Sequence, residues 1–135
     1  MAMQFNPYLA FSGHAREAME FYQSVLGGEL QVTAFRDTGF DADGVMHSSL
    51  DTPAGFHLFA SDHLPGMGPD LVQGNDVQLS LSGDDDAALR GYWDKLSDAA
   101  TVTIPLQKQM WGDEYGQLID KFGITWHVNI AGSHA

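Results

Sequence analysis

Cysteine is absent from this chain, and that absence excludes disulfides, zinc fingers, iron–sulfur clusters and thiol nucleophiles. Basic residues are scarce: six Lys and Arg stand against eighteen Asp and Glu, a formal charge of −12. A surface of that sign repels nucleic-acid phosphates and anionic lipid, so neither is an expected partner. No stretch approaches the roughly 20 apolar residues that span a bilayer. The opening "MAMQFNPYLAF" has no basic region and no long apolar run, so it does not read as a secretion signal. The cytoplasm is the expected location. What is present is the composition of one folded domain over residues 1–135, 44% hydrophobic and 18% charged, long enough for a real core.

The chain repeats itself. "LAFSGHAREAMEFYQSVL" (9–26) falls on "LSLSGDDDAALRGYWDKL" (79–96) at an ungapped offset of 79 − 9 = 70, with Leu9/Leu79, Ser12/Ser82, Gly13/Gly83, Ala18/Ala88, Tyr22/Tyr92 and Leu26/Leu96 identical. The same offset lays His57 on His127. Each half reads as strand, helix and three further strands. Ser12 and Ser82 stand where helix N-caps belong, and Asp84, Asp85 and Asp86 place negative charge at the start of the second helix. Apolar periodicity predicts helices near 14–26 and 84–97. It buries Ala18, Met19, Tyr22, Val25 and Leu26 in one, and Ala88, Leu89, Tyr92, Trp93 and Leu96 in the other. Strands are expected at 5–11, 29–36, 45–51 and 55–60, and again at 101–107, 115–120 and 125–131. Module one thus covers about 1–63, a Gly- and Pro-rich linker 64–75, and module two 76–135. "DADG" (41–44) resembles a fragment of a calcium loop, but the other ligand positions are missing. "SDH" (61–63) names the members of a catalytic triad without the spacing that a triad needs.

The tandem βαβββ pattern, with "AREAMEFYQSVLGGEL", "PYLAFSG", "HSSL", "FASDHLPG" and the closing "WGDEYGQLIDKFGITWHVNI", resembles the vicinal oxygen chelate superfamily of glyoxalases, bleomycin-resistance proteins and extradiol dioxygenases. More narrowly it resembles the PhnB-like branch. The resemblance covers nearly the whole chain. It implies an α+β fold in which the modules form a curved mixed sheet around a cavity, and a homodimer. A methyltransferase label sometimes attached to this branch is not expected, since no glycine-rich loop follows a strand as a nucleotide-like methyl donor would require.

In that superfamily, metal ligands come from the first and fourth strands of each module. Strand parity turns Leu9, Phe11, Val77, Leu79, Leu81, Phe56, Leu58, Trp126 and Val128 toward the helices, and Asn6, Tyr8, Asp76, Gln78, Ser80, His57, Phe59, His127 and Asn129 toward the cavity. Carried onto this chain, the ligand places are Asn6, His57, Asp76 and His127, with equal separations of 57 − 6 = 51 and 127 − 76 = 51. His57, Asp76 and His127 would make a two-histidine, one-carboxylate set suited to Fe, Mn, Ni or Zn. That set departs from the superfamily's usual histidine on the first strand and glutamate on the fourth. The competing reading makes the histidines polar cavity residues that hydrogen-bond an organic ligand, and makes Asp76 a turn residue. His47 matches a histidine recurring in the branch. Trp111 and Tyr115 stand beside the cavity that the family closes with this region. His14 and His63 are read as a solvated helix residue and an incidental loop residue, and His134 as incidental.

Three functions follow. One is a metal-dependent lyase, isomerase or dioxygenase acting on a small oxygen-rich molecule. Another is a metal-free small-molecule binding protein of the bleomycin-resistance type, and the last is a structural dimer with a vestigial cavity.

Overall fold

A computed structural model describes residues 3–66 and 68–132; His134 lies outside them. The chain divides into two compact units, Met1–Gln73 and Gly74–Ala135. Unit one runs β1 (Tyr8–Phe11), α1 (Ala15–Leu26), β2 (Glu29–Ala34), a 3-10 turn (Phe35–Thr38), β3 (Val45–Asp51) and β4 (His57–Asp62). Unit two runs β5 (Leu79–Gly83), α2 (Asp86–Leu96), β6 (Thr101–Lys108), β7 (Glu114–Ile119) and β8 (Thr125–Ile130). The sheets are ordered β1-β4-β3-β2 and β5-β8-β7-β6. The first strand of each pairs parallel to the fourth, and the other pairs are antiparallel. The expected tandem βαβββ fold is present, as two four-stranded mixed sheets rather than one continuous sheet.

Each helix covers one face of its own sheet. In α1 the buried residues Ala15, Ala18, Met19, Tyr22, Val25 and Leu26 recur at helical spacing, and the helix lies against the strands that carry the buried Leu50, Leu58 and Ala60. Gly28 follows the helix at φ +99°, where a Cβ would stand 2.0 Å from the Asp51 carbonyl oxygen. Only glycine meets both demands. In α2, Leu89, Trp93 and Leu96 are buried, whereas Ala88 and Tyr92, expected in the same stripe, are half-buried. Gly116 on β7 makes room for the Trp93 ring, since a Cβ there would lie 2.7 Å from Trp93 Cη2.

The serines do not cap the helices. The residue before α1 is His14, which makes no side-chain cap. Instead Asp62, 6% exposed at the end of β4, accepts from Gly13 N and Ala15 N through Oδ1 and from Val45 N through Oδ2, each at 2.9 Å. One buried carboxylate thereby ties three segments together. Before α2 the cap is Asp85, whose Oδ1 accepts from Ala88 N at 3.1 Å, rather than Ser82. Asp120, 4% exposed, holds the β7–β8 turn, accepting from Phe122 N, Ile124 N and Trp126 Nε1.

Strand alternation holds at the centre of each sheet and fails at the ends. Leu58, Trp126 and Val128 are buried beneath the helices, while His57, Phe59, His127 and Asn129 point to the opposite face. Val77 and Phe56 were expected on the helix side. They are 81% and 37% exposed, because β5 begins only at Leu79 and β4 only at His57.

Candidate functional site

The pairing register of the two units differs, and this decides which residues are equivalent. The β3–β4 hairpin pairs Asp51 with His57, and the β7–β8 hairpin pairs Ile119 with Thr125, so the hairpins correspond at 125 − 57 = 68. The first strands correspond at 72 instead. Tyr8 stands beside Phe59 and Ser80 beside His127, separations of 59 − 8 = 51 and 127 − 80 = 47. The sequence offset of 70 lies midway between these. His57 and His127 are therefore not structural twins. The counterpart of His127 is Phe59, and the counterpart of Tyr115 is His47. The row of His127 contains Ser80, not Asp76.

In unit one the helix-free face carries three rings in contact. His47 and Phe59 meet edge to face at 5.2 Å, and Tyr8 lies 5.8 Å from His47 and 6.2 Å from Phe59. The Tyr8 hydroxyl and His47 Nδ1 are 3.3 Å apart. His57 stands at the start of β4, where Nδ1 pairs with Asp51 Oδ1 at 2.6 Å on the exposed hairpin end. Asn6 lies before β1 and donates to Gln4 Oε1 at 2.9 Å.

In unit two, β7, β8 and the segment before β5 assemble a second group. Tyr115 and His127 stack at 5.8 Å with ring planes 20° apart, and the Tyr115 hydroxyl reaches His127 Nδ1 at 2.6 Å. The other ring nitrogen, Nε2, meets Gln78 Oε1. Trp111, 53% exposed, packs against Tyr115 at 6.1 Å. Asn129, the cross-strand partner of Tyr115, donates to Asp113 Oδ2 at 3.0 Å. Asp76 is exposed before β5.

The donors present do not fit a resident divalent ion. A histidine ligand needs a free lone pair on one ring nitrogen, and both nitrogens of His127 are engaged by hydrogen-bond partners. The row of His127 brings a serine hydroxyl where a carboxylate was expected. Among the described residues no group of three or more His, Asp or Glu side chains stands in a metal-holding arrangement.

Some partners escaped the sequence reading. Asp51 was within reach, because counting outward from the centre of the turn "TPAGF" pairs it with His57. Asp62, Asp113 and Asp120 gave no such signal, since their partners are mostly backbone amides. Arg36, Arg90 and Lys121 are paired with acids. Asp43 and then Asp41 hydrogen-bond Arg36 and raise its pKa further above its ordinary value. Arg90 pairs with Asp86 and Glu114. Outside the open faces, a cleft of about 70 Å³ lined by Ala10, Phe11, Ser12, His14, Leu71 and Gln73 has room for little more than water. His63 is part-buried, and its Nε2 has no hydrogen-bond partner among the described residues.

Two modules of this topology, each with a polar and aromatic open face, define the class. Residues 4–128 match the family model of the Glyoxalase/Bleomycin resistance protein/Dioxygenase superfamily, and the chain belongs to that family. Among solved structures, protein PA1353 from Pseudomonas aeruginosa superposes with a TM-score of 0.83 at 32% identity, covering 98% of this chain and 100% of that one. The PhnB protein from Bacillus cereus shares the fold at a TM-score of 0.75 and 20% identity, over 96% and 100% of the two chains. Protein YjdN of Escherichia coli is 24% identical over 95% of each chain. Members of the superfamily bind small-molecule ligands, often with divalent metals and often as dimers. No helix among the described residues is long and apolar enough to cross a membrane.

Proposed function

We propose that this protein binds a small organic molecule directly through the side chains of its open sheet faces, without a resident divalent metal. The observation that carries this reading is His127, held at Nδ1 by Tyr115 and at Nε2 by Gln78. A ring fixed from both sides serves hydrogen bonding, and metal ligation would first have to displace one of the two partners. Tyr8, His47 and Phe59 supply a second aromatic surface. Asn6 and His57 stand at the margin of that surface, and Asp76 acts as a turn residue. The chain works as a homodimer, a reading supported by the superfamily's habit and by open edges on sheets of four strands. A chain without cysteine gains nothing from an oxidising compartment, which supports the cytoplasm.

The test is elemental analysis of untagged protein exposed to Fe, Mn, Ni and Zn, paired with an NMR screen of small molecules in chelator. The expected result is far less than one equivalent of metal, with ligand-induced shifts at Tyr8, Phe59, Tyr115 or His127 that persist in chelator. One equivalent of metal per chain, lost in His57→Ala and His127→Ala, would instead establish a resident metal site and sink this proposal.

A further inference from the structure

The hydrogen bonds around His127 have a direction, and a backbone carbonyl sets it. Gln78 Nε2 donates to the Asn75 carbonyl at 3.0 Å. A carbonyl only accepts, so this contact fixes which end of the amide is nitrogen and leaves Oε1 facing His127. Oε1 likewise only accepts, so His127 Nε2 carries a proton. In the neutral ring Nδ1 is then a bare lone pair. The Tyr115 hydroxyl, 2.6 Å away, therefore donates to it. With its one proton directed inward, the Tyr115 oxygen can offer an arriving molecule only lone pairs.

Asn129 is polarised in the same sense. Its Nδ2 donates to the Asp113 carboxylate at 3.0 Å, which turns the amide's acceptor, Oδ1, away from that contact. Tyr115 and Asn129 are direct cross-strand partners, so both side chains leave the same face of the sheet side by side. Beside them the half-exposed Trp111 ring, 6.1 Å from Tyr115, adds a flat apolar wall.

We infer that the Tyr115–Asn129–Trp111 corner of unit two binds a protonated amine carried on a flat apolar body, an arylalkylammonium. An ammonium brings three donors to two fixed acceptors. It also gains from the aromatic faces and from the field of a chain with net charge −12. A carboxylate in the same place would gain no donor from the Tyr115 hydroxyl and would be repelled by the chain's negative field. The inference rests on the proposed metal-free binding function and names the ligand class of that site.

The full chain, labelled with nitrogen-15, is titrated with benzylamine, benzyltrimethylammonium and benzoate. Benzylamine should shift the Tyr115, Asn129 and Trp111 signals and bind about tenfold more tightly than the quaternary analogue, the worth of roughly one hydrogen bond. Benzoate should leave those signals in place. Tyr115→Phe should erase the advantage of benzylamine while the chain stays folded by its nitrogen-15 spectrum, and Asn129→Leu should reduce it. Long-range nitrogen-15 spectra should show His127 in the Nε2–H form, with Gln78→Leu mixing the two tautomers. An Nδ1–H tautomer in the native chain overturns the inference. So does benzoate binding as tightly as benzylamine, an advantage that survives Tyr115→Phe, or no shift with any probe. Benzoate shifts at this face in chelator would sink this inference and leave the proposed function standing, whereas stoichiometric metal uptake would strike the proposed function itself.

Discussion

Asp62 sits at a position whose strand parity calls for an apolar side chain, yet it is a carboxylate 6% exposed. Its three backbone amide contacts explain why. Asp62→Ala leaves buried donors without acceptors and should lower unfolding free energy in urea by about 3 kcal/mol. Asp62→Asn should recover part of that loss, because one of its two terminal atoms no longer accepts. A result for Asp62→Ala within experimental error of the native chain would contradict the role given to this carboxylate. Gly116→Ala should cost about 1–3 kcal/mol through overpacking against Trp93, again read from urea denaturation. In the sequence, "FASDH" showed a strand running into a polar end. Nothing local distinguishes a buried acceptor from a solvated loop acid, because its partners are amides about 17 and 47 residues away.

Among the elements, β6 is one edge of its sheet, with Val102 43% and Ile104 37% exposed. Its pairing with β7 is irregular between Val102 and Ile104 and again between Ile104 and Gln107, the second break containing Pro105. A bulge and a proline deny a neighbouring strand a regular edge. Pro105→Val should therefore raise self-association, seen as a larger scattering mass at concentrations where the native chain keeps its own oligomeric state. An unchanged mass would remove this role from Pro105. The helices were legible from their apolar period, with a glycine stop after α1, and α1 and α2 fall within two residues of the expected bounds. Strand register was not. The identities that set the offset of 70 cluster in the first strand and helix of each half, whereas register depends on hairpin turns and sheet packing, which leave no matching letters. Tyr115 and Gln78 were marked as site residues, but their order through His127 became visible only with the side chains in place.

At the scale of the whole chain, the charge of −12 acts on any cationic ligand from a distance. Raising salt from about 0.01 M to 0.15 M shortens the Debye length from roughly 30 Å to 8 Å. The apparent affinity for benzylamine should fall severalfold across that range, and a salt-independent affinity would show that the surface field plays no part. The register difference between the units has a consequence for descent by duplication. A strand that slides past its neighbour by one residue turns its apolar face to solvent, while a slide by an even number keeps every face in place. The present difference, 51 − 47 = 4, is even. Related halves can thus drift apart in paired steps that the core does not register, and each step resets which side chains share a row. Ancestral symmetry can survive in the hydrophobic interior while the binding face is rewritten, so that His127 now answers to Phe59, and His47 to Tyr115.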